Sequence, residues 1–313
     1  MQIFLMSKND SAIGEIMALK IITVGIFVIL LTTGFAGAQT LYVGTGQTYT
    51  TIQSAIDDAS TGDVISVDEG TYSENLIIKK NGISIIGKDK EKTIIDGKKV
   101  GSGINIDQAN NIKISGFTIQ NSNGSVRSDA GISMYSAKNN MIVNTIIVNN
   151  AVGVSIYLDS NNNVISGNDI RSNTNHGILI YSSNDNRIYN NNIQNNKIGI
   201  YADSARANHI YSNNFIDNSD EQAYDNSGSN SWDDGKSGNF WNTHKNSDAY
   251  TISGAPKAKD NFPLSSAVTI RYVSVPVSPE QNEIKDESIK SSPGFTGLAI
   301  LGTLIVIGIL KKF

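Results

Sequence analysis

The chain contains no cysteine, so it has neither disulfides nor thiolate metal ligands, and its stability must come from burial and backbone pairing. Histidine is almost as scarce. His176, His209 and His244 are the whole supply, which leaves a histidine and cysteine cage unsupported, and neither a metal nor a cofactor is expected. A basic excess is missing too: the net charge is -4, and this mild acidity gives no footprint for nucleic acid, whose binders normally show a clustered basic face.

What the chain has is repetition. Glycine opens a short apolar run four times, as G-I-S-M-Y at Gly131, G-V-S-I-Y at Gly153, G-I-L-I-Y at Gly177 and G-I-Y-A-D at Gly199, about 22 to 24 residues apart. Within the runs Ile132 and Met134, Val154 and Ile156, and Ile178 and Ile180 share one face of a strand. Ser133, Ser155, Tyr135, Tyr157 and Tyr181 take the other. One such unit cannot bury its apolar face, but units stacked in parallel make a continuous aliphatic core, so the pattern predicts a β-solenoid.

A second motif recurs in each unit: Asn140, Asn163, Asn186 and Asn208, each followed by aliphatic residues at fixed offsets. Like amides stacked at the strand spacing of roughly 4.8 Å can hydrogen-bond from coil to coil, and this reads as a structural ladder. The alternative, a row of amides binding sugar hydroxyls, requires the row to face solvent.

The two ends read as processing signals. From Met17 a short basic stretch, an apolar run over residues 21–31 and the small residues Ala36-Gly37-Ala38 predict a secretory leader over residues 1–38, with translation starting at Met1 or at Met17. An uncleaved anchor is the alternative. Residues 265–292 read as a tether, with a further strand over 268–277 as an option. Pro293-Gly294-Phe295, an apolar segment over 296–310 and Lys311-Lys312 close the chain.

Between the leader and the tether, residues 39–264 form the solenoid domain. Thr50 and Gln53 predict a capping box for a short helix bearing Ile52, Ala55, Ile56 and Ala59 on one face and stopped by Gly62. A helix there caps the open core end. Strands follow at 64–67, 74–78, 83–86 and 93–95, then a further coil over 103–120. Residues 121–128 are a polar insertion carrying the glycosylation sequon Asn123-Gly124-Ser125.

The run from Tyr49 to Ile78, Y-T-T-I-Q-S-A-I-D-D-A-S-T-G-D-V-I-S-V-D-E-G-T-Y-S-E-N-L-I-I, resembles the opening segment of pectin-lyase-fold proteins. With the Asn-rich repeats, Gly238-Asn239-Phe240-Trp241 and Asp260-Asn261-Phe262-Pro263-Leu264, it is similar to the NosD-type family and its carbohydrate-binding and sugar-hydrolysis domain. The resemblance implies an all-β, right-handed parallel β-helix with an N-terminal capping helix and a C-terminal hydrophobic tail helix. It also implies either carbohydrate binding, polysaccharide processing or a part in assembling an extracellular metalloenzyme. Where family members often carry an acidic loop, this chain has Lys245-Asn246-Ser247-Asp248, which leaves a calcium site unsupported. The tail over 293–313 resembles the PGF-CTERM signal, implying an archaeal source, an archaeosortase-type processing enzyme and a lipid or membrane anchor at the cell surface. A retained membrane helix is the alternative.

The candidate binding surface is the column four residues after each repeat glycine: Asp107, Tyr135, Tyr157, Tyr181 and Asp203. Phenols flanked by acids suit the faces and hydroxyls of sugars, and envelope or extracellular glycans are the expected partners. The structural alternative is that tyrosines stack on an exposed strand for stability. Catalytic candidates are sparse. Glycoside hydrolysis needs two carboxylates about 5 to 9.5 Å apart, and Asp159 and Asp185 stand on neighbouring coils at unequal offsets. Asp169 and Arg171 share a strand face, which suits lyase-like chemistry, with Asn192 and Gln194 on the next coil. His176 reads as a turn residue. Trp232, Phe240 and Trp241 read as a plug for the end of the core.

Overall fold

Val164–Ser166, Asp169–Arg171 and His176–Tyr181 are successive strands, after which Arg187–Tyr189 comes back to lie on Val164–Ser166, with Val164 opposite Arg187. In this computed structural model, which describes residues 37–125, 128–246 and 248–270, that circuit repeats along the chain. It produces sheets A, B and C, of eight, eight and seven strands, in which every neighbouring pair is parallel. This is the β-helix expected from the repeats. Residues 1–36 of the expected leader and the sorting tail over 293–313 lie outside the described residues, as does the tether beyond residue 270. Among the described residues no helix is long and apolar enough to cross a membrane.

Through the repeats sheets A and B each turn one apolar column inward, and sheet C turns two. Ile142, Ile165, Ile188 and Ile210 line sheet A, and Ile147, Ile170, Ile193 and Phe215 line sheet B. All are 0% exposed. Full burial of such a side chain stabilises by roughly 1.5–3 kcal/mol, so the stack is the main source of stability in a chain without disulfides. The repeat glycines have a steric cause. A Cβ on Gly153 would meet the Gly177 carbonyl oxygen at 2.5 Å, Ile170 Cγ2 at 2.8 Å and Asn173 Nδ2 at 2.9 Å.

The corners explain the asparagines. Asn139, Asn162, Asp185 and Ala207 turn the chain with φ of 57°, 59°, 58° and 53°, the left-handed region that Asn and Asp tolerate best among residues with a Cβ. The residue after each is a ladder asparagine: Asn140, Asn163, Asn186 and Asn208, all at most 1% exposed. Asn163 Nδ2 donates to Asn186 Oδ1 (3.0 Å), Asn186 to Asn208 (2.9 Å) and Asn208 to Asn230 (2.8 Å). The ladder is therefore an internal scaffold and not a solvent-facing row.

Two further ladders run up the other corners. Thr145, Asn168, Asn191, Asn213 and Asn239 form one, and Asn150, Asn173, Asn196 and Asn218 the other. Amides in each donate toward the C-terminal end, so each ladder needs an acceptor there. Asn230 donates to Asp225, Asn239 donates its backbone N–H to Asp260 (2.7 Å), and Asn218 donates to Gln222 Oε1 (2.8 Å). Asp225 and Asp260 are 0% exposed and also accept the indole N–H groups of Trp232 (3.0 Å) and Trp241 (2.8 Å).

Both ends of the core are covered. At the N-terminal end the helix Ile52–Asp58 buries Ile52, Ala55 and Ile56. Its cap is Thr51, whose hydroxyl accepts from the Ser54 N–H, and not Thr50. Glu74, and not Gln53, is the side chain that accepts at this helix start, its two oxygens accepting from the N–H groups of Ile52 and Gln53 (2.9 and 3.0 Å), where the helix dipole also favours its charge. Gln53 instead pairs with the backbone of Ile77, satisfying the strand edge. The helix ends at Ala59, before Gly62. At the other end Trp241 stacks between Phe215 (4.3 Å) and Tyr250 (4.1 Å), and Trp232 packs beside it. Phe240 is not part of the plug. Its strand alternation turns it outward as Trp241 turns in, and Tyr250 takes the place expected of it. The first residues of the expected tether pack back: Val268 exchanges two hydrogen bonds with the Asn214 side chain on sheet B (2.7 and 2.8 Å).

Candidate functional site

The tyrosine column is in unbroken register on the outer face of sheet C. Asp107 stands opposite Tyr135, Tyr135 opposite Tyr157, Tyr157 opposite Tyr181, and Tyr181 opposite Asp203. All five are half-buried. The rings of Tyr135 and Tyr157 lie 5.2 Å apart and tilted by 34°. Burial pushes the Tyr157 phenol above its ordinary range, and Tyr135, Asp107 and Asp129 add to the shift, so it remains a hydrogen-bond donor at neutral pH. Asp107 is bridged by Lys79 at 3.3 Å.

A second aromatic run shares this face. Leu179 is opposite Tyr201, and Tyr201 opposite Tyr224, in the column two residues before the first. The Tyr201 and Tyr224 rings are 5.0 Å apart and within 3° of parallel, so each covers a face of the other. Ser133 and Ser155 belong to this column and are 0% exposed, although they point away from the core. The serines therefore form the floor of the face and the phenols its surface. Sequence reading missed Tyr201 and Tyr224, although G-I-Y at Gly199 held the first.

His176 begins a strand and is not a turn residue. Its ring lies 5.1 Å from that of Tyr201, with Nδ1 buried and without a hydrogen-bond partner. Burial first, and the nearby Lys197 second, lower its pKa from 6.5 to about 4. It is neutral at physiological pH.

The catalytic candidates do not assemble. Asp159 and Asp185 are exposed corner residues with φ of 61° and 58°, where backbone geometry already favours aspartate. Asp159 donates its N–H to the Ser182 carbonyl and Asp185 to that of Arg206, so they sit at different points of the corner. Asp169 and Arg171 do meet, on sheet B. Arg171 Nε is 2.8 Å from Asp169 Oδ2, and Gln194 donates to Asp169 Oδ1 at 2.9 Å. Both carboxylate oxygens are thus engaged.

Three parallel sheets wound around an aliphatic core, with ladders at the corners and decorated outer faces, define a parallel β-helix protein. Residues 37–246 match the family described as periplasmic copper-binding protein (NosD), and the chain belongs to that family. A cell surface glycoprotein of Methanothermus fervidus is 32% identical over 127 residues, 40% of this chain and 20% of that protein, so the chain spans about a fifth of that relative. Among solved structures, a pectate lyase from Bacillus sp. N165 in complex with trigalacturonate is 15% identical, with a TM-score of 0.47 over 81% of this chain and 90% of its own. Pectin methylesterase PemA from Erwinia chrysanthemi is 14% identical, with a TM-score of 0.47 over 76% of this chain and 92% of its own.

The family description raises copper, and the donors present do not fit it. His176 lies on sheet C and His209 on sheet A, while His244 is bonded to the Asp248 carbonyl (2.8 Å). Met134 is 0% exposed in the core. Among the described residues no three His, Cys, Asp or Glu side chains converge, whereas a copper centre needs soft or imidazole ligands brought together.

Proposed function

We propose that this is an exported β-helix protein of the cell surface whose sheet C face binds glycans without catalysing their breakdown. One observation carries the reading: the in-register column from Asp107 through Tyr135, Tyr157 and Tyr181 to Asp203. It sets the backbone positions that carry the phenols and carboxylates one strand spacing apart, about 4.8 Å. Hydroxyls and carboxylates at such intervals can hydrogen-bond successive ring hydroxyls of a sugar chain. Ring faces are covered where Tyr201 and Tyr224 stack, whereas Tyr135 and Tyr157 are tilted by 34°. The acids favour an uncharged glycan on this face.

Surface location is supported by the leader-like and PGF-type ends and by the cell surface glycoprotein among its relatives. Anchoring through the tail, by an archaeosortase-type enzyme and a lipid or as a retained helix, belongs to the same proposal. The absence of catalysis is supported by the occupied oxygens of Asp169 and the separation of Asp159 from Asp185.

On a glycan array the wild-type protein is expected to bind neutral glycans, and a Tyr157→Ala/Tyr181→Ala double variant to fold normally and lose at least tenfold in affinity. Unchanged binding by the double variant would sink the assignment to this face. Release of reducing ends or unsaturated products, abolished by Asp169→Asn, would show an enzyme instead.

A further inference from the structure

Sheet A carries a different chemistry on its outer face. One outward column runs Lys113, Met141, Val164, Arg187, His209, and the column two residues on runs Ser115, Val143, Ser166, Tyr189, Tyr211. Neither contains an acid. Arg187 is exposed, its guanidinium 5.5 Å from the Tyr189 ring centroid, and its Nη2 donates to the Tyr211 hydroxyl at 3.0 Å. Tyr189 and Tyr211 stack at 5.3 Å, within 5° of parallel. His209 is exposed on the next rung. Lys113 is half-buried, and burial lowers its pKa. Beyond His209 the chain bridges at Ser231, and the nearby Asp233 is held through Oδ2 by the backbone and side-chain amides of Asn261.

We propose that this face binds an anionic polysaccharide laid along the solenoid axis, with Arg187 and Lys113 pairing with its acidic groups and Met141 and Val164 lining the path between them. Charge complementarity selects the occupant: a strip with cations and no carboxylate, on a protein whose net charge is -4. Lys113 and Arg187 are three rungs apart, about 14 Å at the usual strand spacing. The hydrogen bond to Tyr211 and the nearby Tyr189 ring hold the guanidinium in place, which favours two-pronged contact with a carboxylate or sulfate through its remaining N–H groups. A polymer is required because one exposed ion contact contributes little on its own, so a free anion gains too little and a chain bearing several sums them.

Dextran, carboxymethyl-dextran and dextran sulfate share one backbone and differ in charge, so titrating the full chain with each isolates the charge term. The two charged polymers are expected to bind at least tenfold more tightly than dextran, with affinity falling as salt is raised. Their ratio distinguishes a preference for carboxylate from one for sulfate. Arg187→Gln/Lys113→Gln should remove most of this advantage, while the Tyr157→Ala/Tyr181→Ala variant of sheet C, weakened toward dextran, still binds both charged polymers more tightly than dextran. Arg187→Gln alone, at an exposed position, serves as the test if the double variant does not fold. Equal binding of all three polymers, or undiminished binding by the folded variants, overturns the proposal. Loss through the sheet C variant alone would transfer the anion site to that face and overturn it equally.

Discussion

Asn186 is linked to the rungs on both sides. Its Oδ1 accepts from the backbone and the side chain of Asn163, and its own Nδ2 donates to Asn208. Asn186→Ala leaves the buried Asn163 N–H without an acceptor and takes one of two partners from Asn163 Nδ2 and from Asn208 Oδ1, so a loss of about 1–3 kcal/mol is expected in urea denaturation. His176 acts on stability through pH. Its folded-state pKa is depressed from 6.5 to about 4, so its contribution is complete above pH 6.5 and is lost as pH falls through about 4. The loss amounts to at most about 3 kcal/mol by the linkage relation. His176→Phe keeps a ring beside Tyr201 and cannot take a proton. Denaturation midpoints of the variant should fall less than those of the wild type between pH 6.5 and pH 4, and parallel curves would contradict the assignment.

Among the elements, the C-terminal cap couples ladder to plug. Asp260 accepts from the N–H of Asn239, the indole of Trp241 and the N–H of Phe262, and its burial raises its pKa against the pull of those donors. Asp225 likewise accepts hydrogen bonds from the Asn230 amide and the Trp232 indole. An amide ladder that donates in one direction needs an acceptor at its end, supplied by a carboxylate at Asp225 and Asp260 and by the Gln222 amide oxygen at the third. Asp260→Asn puts an NH₂ where an acceptor stood, and is expected to cost about 1–3 kcal/mol. Tryptophan fluorescence should register the loosened plug, and a stability equal to wild type would show the carboxylate to be dispensable. The plug itself was half legible in the sequence. Trp232 and Trp241 were found by being large and late, but Tyr250 reaches the core only because the chain doubles back through the pairing of Tyr250–Thr251 with Lys259–Asp260.

As a whole molecule the solenoid is a one-dimensional stack in which each coil touches its neighbours. Val164 and Arg187 are register partners, 23 residues apart, so deleting residues 164–186 joins Asn163 to Arg187 and leaves every face in order. That deletion should give a folded β protein by circular dichroism, with a sharp thermal transition. Removing residues 164–175 instead breaks the order of the sheets and should yield aggregate. Folding of both equally well would refute the one-dimensional description. The faces are independent at this scale too: sheet C presents phenols and acids, sheet A phenols and cations, and their ligands can be separated by variants on one face at a time.

The sequence by itself determined the winding, because the alternation of Ile132 and Met134 and the glycine spacing are local features whose repetition admits one way of burying them. It determined one ladder and half of each cap. Tertiary structure alone decided what the faces offer. Whether a phenol shows its face or its edge depends on the ring above it, as with Tyr201 on Tyr224. Whether Asp169 is open depends on Gln194 from the next coil, and whether His176 is charged depends on burial by groups from several rungs. These are contacts between residues about 22 to 26 positions apart, which no local pattern in the chain records.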